Sequence, residues 1–383
     1  MAVSRADDEA RRATNPLFNG NRVRLGLFGL NCDYACTSTT AEGRWELSWP
    51  ATRAIATLAD QAGIEALVPI ARWRGFGGVT NFNGACYETY TWAAGLGACT
   101  EQTAVFSTSH VPTVHPIMAA KQATTIDHIS GGRFALNIVC GWFQTELEMF
   151  GAPPMEHDTA YAYAAEWLEV VRKLWMAEDE FDHAGRFFKI QRGFHQPKPI
   201  QRPFPPVMNA GASPVGRRFA AQHADMAFIN ARQGARENYQ ADIANLRRLA
   251  REEFRRELQV WGHAYVVCRP TEREAREYLR YYVHEKGDWQ AIENLTRGMG
   301  LDEKLPPERL ASMQFDFVAG WGGYPLIGTA EQIVDELIAL ERVGFDGWLL
   351  SWLNFPVELQ QWIDEIMPLM EQAGLRAPVR PAS

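Results

Sequence analysis

Apolar positions fall in short continuous runs, each followed by a longer stretch in which they recur every three or four residues. These are the two periods expected of buried strands and amphipathic helices. The first run, RVRLGLFGL at 22–30, leads through a polar, aromatic loop to the periodic segment 49–63, which ends on glycine as a helix does. The alternation then repeats: ALVPI and a helix over 85–99, TAVFSTS and 115–129, RFALNIV and 158–176, PPVMNAG and 214–223, DMAFIN and 234–256. ELQVWGHAYVV with a helix from Thr271, and DGWLLSW after a helix from Thr329, complete the count, and a last helix is expected over Pro356 to Ala373. Strands separated by helices run parallel, and eight such units predict an α/β fold, a closed (β/α)8 TIM barrel.

Two stretches fit neither period. Residues 178–205, with FDHAGRFFKI and the proline-rich QPKPIQRPFPP, and residues 287–320 are expected to be insertions on the loop side. A chain of 383 residues could hold two or three domains of ordinary size, but a barrel accommodates 21–383 as one. The charged residues 1–20 are expected to form a flexible tail.

Composition narrows the partners. With 46% apolar residues the chain has material for a substantial core, which excludes a disordered class. A net charge of -8 with both signs interspersed offers no basic face for nucleic acid and no polybasic membrane anchor. The N-terminus lacks an apolar signal core and no run of about eighteen apolar residues follows, so the cytoplasm is the expected compartment. Cys32, Cys36, Cys86, Cys99, Cys140 and Cys268 show no CxxC spacing, and free thiols are expected.

In a barrel the functional groups sit at the carboxyl ends of strands and on the loops that follow. Asn137 stands late in RFALNIV, before Gly141 and Trp142. An amide in so apolar a segment is either tied to neighbouring backbone or aimed at a polar ligand. Thr108 holds the matching place in AVFSTSH, where a β-branched residue also satisfies its own chain. Ser213 and Pro214 in NAGASPVG have the chemistry of a helix N-cap and first turn, a plain cap or an anion site. The glycine-rich loop PIARWRGFGGVTNFNG carries Ala71, Arg72, Trp73 and Phe76, where backbone can approach a flat ligand. Taken singly, Glu146 fits a surface ion pair, and Tyr161 fits the apolar stripe of its helix with Ala165, Leu168 and Trp175. His110 and His115, five apart with no acidic neighbour in sequence, do not make a metal site. No GxSxG, Walker-type or GxGxxG motif stands in its required context.

Taken together, WELSW, PIARWRGFGG, ETYTWAAGL, HPIMAAKQATTIDHISGGRFALNIVCGW, ELEMFG and MNAGASP resemble the bacterial luciferase-like flavin monooxygenases. The resemblance is strong from about Val23 to Asn230 and continues more faintly through GWLLSW. Within that family it is greatest to the branch that oxidises dimethyl sulfone, then to the branch that opens pyrimidines. It implies a (β/α)8 barrel, reduced FMN (FMNH2) delivered by a separate NAD(P)H:flavin reductase, and dioxygen as co-substrate with a small organic molecule. A sulfone-like organosulfur substrate with C–S cleavage is the main expectation, and a heterocyclic amide or haloaromatic the alternative. The family's FMN contacts match Ala71, Arg72, Asn137, Glu146, Tyr161 and Ser213, and its oxygen-lining threonine and asparagine match Thr108 and Asn137. That pair implies oxygen activation at the central-ring nitrogen of the flavin. Relatives often carry arginine before the tyrosine, whereas Ala160 stands here, which predicts weaker phosphate binding. By position, Trp45, Trp73, His110 and Trp352 are expected to wall the substrate. The resemblance further implies that the barrels pair or form tetramers. Deazaflavin-dependent hydride transfer and non-catalytic flavin binding are the rival readings.

Overall fold

The computed structural model describes residues 9–11, 14–152, 154–231 and 236–378. Its strands are β1 (Arg24–Phe28), β2 (Ala66–Val68), β3 (Ala104–His110), β4 (Phe134–Val139), β5 (Phe181–Ala184), β6 (Lys189–Gly193), β7 (Val207–Asn209), β8 (Met226–Ile229), β9 (Gln259–Cys268), β10 (Tyr324–Gly328) and β11 (Gly347–Ser351). The main sheet runs β10-β9-β11-β1-β2-β3-β4-β7-β8, with β8 and β9 also paired. Without β10 these are the eight strands expected from the apolar runs, and the fold is a closed (β/α)8 barrel. The helices used below are α1 (Trp49–Gln61), α2 (Thr89–Gly97), α3 (Pro116–Ile129), α4 (Gln144–Met149), α5 (His157–Met176), α6 (Pro214–His223), α7 (Arg236–Phe254), α8 (Glu272–Arg280), α9 (Trp289–Gly298), α10 (Pro307–Gly320) and α11 (Ala330–Val343). The first two residues of the helix expected over 234–256 lie outside the described residues. No described helix is long and apolar enough to cross a membrane.

Contacts divide the chain into two compact units. The first comprises Met1–Asn19, Glu88–Phe228 and Leu246–Leu258, and the second Gly20–Tyr87, Ile229–Asn245 and Gln259–Ser383.

In the first unit β3 and β4 lie in register, with Thr108 opposite Asn137 and His110 opposite Val139. Directly opposed residues share a face of the sheet, so this register decides which polar side chains meet. Ser213 accepts from Gly216 N–H at 3.1 Å and Pro214 opens α6, as the sequence predicts. The expected flexible tail is anchored where it is described. Leu17 is fully buried, and Arg11 pairs with Asp225 at 3.1 Å. Burial alone would raise the Asp225 carboxyl, but the guanidiniums of Arg11 and Arg256 and the Val207 amide bring it down to about 2. The stretch 178–205 is not irregular throughout, since β5 and β6 pair as an antiparallel ribbon. Glu166 of α5 holds it by accepting from the amides of Arg186, Phe187 and Phe188.

In the second unit β9 and β11 are locked by two complementary pairs, Gly347 opposite Trp261 and Gly262 opposite Trp348. A Cβ on Gly262 would come within 2.4 Å of the Trp348 ring, so each glycine supplies the space its neighbour's indole fills. The stretch 287–320, expected to be irregular, contains α9 and α10. Asp288 caps α9 through Ala291 N–H, a start signal followed by an apolar stripe of Ala291, Ile292 and Leu295. The expectation of free thiols fails at one pair, because Cys32 and Cys86 are disulfide-bonded, with Cα atoms 4.1 Å apart. They are separated by 54 positions, and an antiparallel bridge between the loops after β1 and β2 brings them together.

Candidate functional site

In the first unit, the β3–β4 register brings Thr108 and Asn137 together at the carboxyl half of their strands. Asn137 Nδ2 donates to Thr108 Oγ1 at 3.1 Å, and both residues are buried. The other half of the amide is different, because Asn137 Oδ1 is buried and has no hydrogen-bond partner among the described residues. A buried acceptor left bare costs about 1–3 kcal/mol, a cost offset when a ligand donates to it.

His110 ends β3 on the face that Thr108 occupies, and its Nδ1 lies 3.9 Å from Glu146 Oε2. The resemblance made Glu146 a cofactor contact, although taken singly it fitted a surface ion pair. Instead α4, a short helix not predicted from the sequence, carries it fully inside. The acidic neighbour that His110 lacks in sequence is therefore supplied by the fold.

Past the end of β4 a cavity of about 340 Å³ opens, bordered by Val139, Trp142, Met155, Ala160, Tyr161 and Asn209. Burial, reinforced by the neighbouring Cys140, raises the Tyr161 phenol to about 12 against a hydrogen bond with Ser213, so it stays neutral. A Cβ on Gly216 would fall 2.5 Å from Tyr161 Oη, and one on Gly211 would fall 2.7 Å from the Gly216 backbone. The bare backbone of both glycines is what lets the tyrosine and the turn after β7 close on the first turn of α6. The N–H groups and positive dipole end of that turn favour an anion. Ala160 borders the cavity where a cation was missed in the sequence.

In the second unit, Ala71 and Arg72 follow β2 and are buried, with the Arg72 guanidinium 5.3 Å from the Phe76 ring centre. Their position is set by Asn31, which donates to Ile70 O at 2.8 Å and to Tyr87 O at 3.0 Å while accepting from Ile70 N–H at 2.9 Å. The rest of the loop is clamped by Asp288, which accepts from both Thr80 N–H and Thr80 Oγ1 at 2.7 Å. Trp45 and Trp352 are buried around a common ring, each 5.5 Å from Phe355, whereas Trp73 is 42% exposed.

Thus Thr108, His110, Asn137 and Glu146 gather at the ends of β3 and β4, and Tyr161 and Ser213 meet beside the cavity. Sequence reasoning passed over Asn31, Asn209 and Asp288. The first two carry a weaker form of the signal that singled out Asn137, an amide at the end of an apolar run rather than inside one.

The fold and these strand-end polar groups define a barrel enzyme of the α/β class. The chain belongs to the luciferase-like monooxygenase family, whose pattern it matches over residues 25–347, and is an oxidoreductase of the oxygen-incorporating class. It is 31% identical over 339 residues to the FMNH2-dependent dimethylsulfone monooxygenase of Pseudomonas putida, a match spanning 86% of this chain and 89% of that one. It is 29% identical over 330 residues to the pyrimidine monooxygenase RutA of Acinetobacter baylyi, spanning 84% and 88%. Among solved structures, riboflavin lyase RcaE, described with modified FMN and riboflavin, shares the fold with a TM-score of 0.84 at 21% identity, over 94% of each chain.

Proposed function

We propose that this chain is the oxygenase component of a two-component system that takes reduced FMN from a separate NAD(P)H:flavin reductase. In this reading it oxidises a small sulfone-like organosulfur compound with cleavage of a C–S bond. The likeness to the dimethylsulfone monooxygenase over most of both chains supports that substrate class. The structural observation that carries a flavin at this site is the buried, bare acceptor of Asn137 beside Thr108, close to a cavity bordered by Tyr161, whose hydroxyl bonds the Ser213 cap of α6.

Reduced FMN, when bound, supplies the two electrons with which one atom of dioxygen enters the substrate and the other leaves as water. Asn137 would hold the ring system through its free acceptor, and Thr108, bonded to the other half of the amide, would keep that acceptor available. Tyr161, Ser213 and the first turn of α6 would hold the phosphate with neutral donors and the helix dipole. His110 and Glu146 keep a buried, dry pair at the end of β3, where water would otherwise reach the reacting atoms. Ala71 and Arg72 are proposed as further FMN contacts on the resemblance of their loop, and Trp45, Trp73 and Trp352 as substrate wall.

A second substrate reading, a pyrimidine-like heterocyclic amide, is favoured by the Thr108–Asn137 hydrogen bond, because that residue pair lines the oxygen site in the branch that opens pyrimidines. The test is a panel containing dimethyl sulfone and uracil, run with reduced FMN, a generic flavin reductase and air, and scored by mass spectrometry. The expected result is C–S cleavage of the sulfone with matching oxygen uptake. Cleavage of uracil alone selects the second reading. Reaction only with reduced deazaflavin, without oxygen uptake, overturns both.

A further inference from the structure

We infer that Asn209 is a positioning residue that ties the oxygen-side strand end to the phosphate-side turn, and so sets how well the site distinguishes a phosphorylated flavin from an unphosphorylated one. This inference rests on the flavin reading above. Asn209 is the last residue of β7 and is 2% exposed. Its Nδ2 donates across to Ile138 O at 2.9 Å, the carbonyl one residue past Asn137. Its Oδ1 accepts from Gly211 N–H at 3.1 Å, the i to i+2 pattern by which asparagine shapes a turn. The side chain thus uses both halves of its amide, one on each side of the cavity it borders.

The turn it shapes has little freedom elsewhere. Gly211 lies so close to Gly216 that a Cβ would fall 2.7 Å from its backbone, and Gly216 in turn packs on the Tyr161 hydroxyl. A small displacement of Gly211 therefore moves the first turn of α6, with the Ser213 cap and its anion-facing amides, relative to β4. Losing the Asn209 bonds leaves Asn137 in place, because its own partner is Thr108. The phosphate end should loosen while the ring end is kept.

Oxidised FMN and riboflavin, which lacks the phosphate, are titrated by flavin fluorescence against the full chain and against Asn209→Ala and Asn209→Ser, with far-UV circular dichroism and melting curves for each. The expected result for Asn209→Ala is an FMN Kd raised about tenfold with riboflavin changed by less than about threefold. Asn209→Ser should fall between, because a serine hydroxyl accepts from Gly211 N–H but is too short to reach Ile138 O, and it carries the test if Asn209→Ala does not fold. An unchanged FMN-to-riboflavin ratio, or a parallel loss of both, overturns the inference. A wild-type protein that does not prefer FMN to riboflavin overturns the flavin reading itself.

Discussion

Asn137 shows how stability and function separate at a single side chain. Its Nδ2 bond to Thr108 contributes about 1 kcal/mol, whereas its bare, buried Oδ1 costs about as much or more. Replacing it with leucine should therefore leave the melting temperature equal or higher while coupled oxygenation falls at least about a hundredfold, an outcome typical of sites kept polar for a ligand. A protein that melts earlier yet turns over normally would show a purely structural amide. Asn137 was legible in the sequence because the residues around it form an unbroken apolar run. Asn31 and Asn209 carry the same mark, but both stand at run ends, where turn residues are ordinary and the signal is diluted. The burial of Glu146 was not legible in the residues around it, and taken singly Glu146 fits a surface ion pair. Its burial depends on α4, whose six residues are too few to show a helical period.

At the scale of elements, the N-terminus of α6 joins local folding to ligand chemistry. Ser213→Ala removes a side-chain cap worth about 1 kcal/mol, which in a chain of this size lowers the melting temperature by roughly 1 °C. The same substitution should weaken FMN binding several-fold with little effect on riboflavin, measured in one titration. Equal loss for both flavins would place the phosphate elsewhere. The loop after β2 gives a second test, since Asp288 both caps α9 and holds Thr80. Asp288→Ala should raise hydrogen-exchange rates over residues 75–84 and at the start of α9 together, while Asp288→Asn, which keeps a capping oxygen, should affect α9 less. No change over 75–84 in either variant would show that the loop is held by other contacts. The eight barrel strands could be read in the sequence because each is a continuous apolar run bounded by turn residues. The helices α9 and α10 were passed over, although Asp288 and a short apolar stripe mark the start of α9, because Gly298, Gly300 and the polar stretch between the two helices break the period over 287–320 taken as a whole.

For the whole molecule, three histidines held neutral inside the protein set the response to acid. Burial is the first cause at each, with Lys121 and Lys198 adding to it at His195 and Arg172 and Arg256 at His223. His195 is lowered to about 4, and His223 and His263 to about 3. The unfolded chain takes up these protons near pH 6.5, but the native chain resists them. Their contribution to stability is therefore complete above pH 6.5 and is lost as pH falls toward 4 and then 3, by up to about 1.4 kcal/mol per pH unit for each histidine. Urea midpoints at pH 7, 6 and 5 should fall progressively. A flat profile over that range would mean that these side chains take up protons as readily in the native protein as in the unfolded chain. The long-range links, such as the Cys32–Cys86 bond and the Arg11–Asp225 pair, lay beyond the sequence reading. Nothing local in the chain specifies which distant segments a closed barrel makes neighbours.

The groups around Asn137 are proposed to support insertion of an atom of dioxygen at the expense of reduced FMN. The most direct test supplies reduced FMN, dioxygen carrying the heavy oxygen isotope, and the sulfone and pyrimidine substrates, and weighs the products. One labelled oxygen atom is expected in the cleaved product, lost when ordinary dioxygen is used. Product oxygen that comes from water, or substrate oxidation that proceeds without dioxygen, would contradict it.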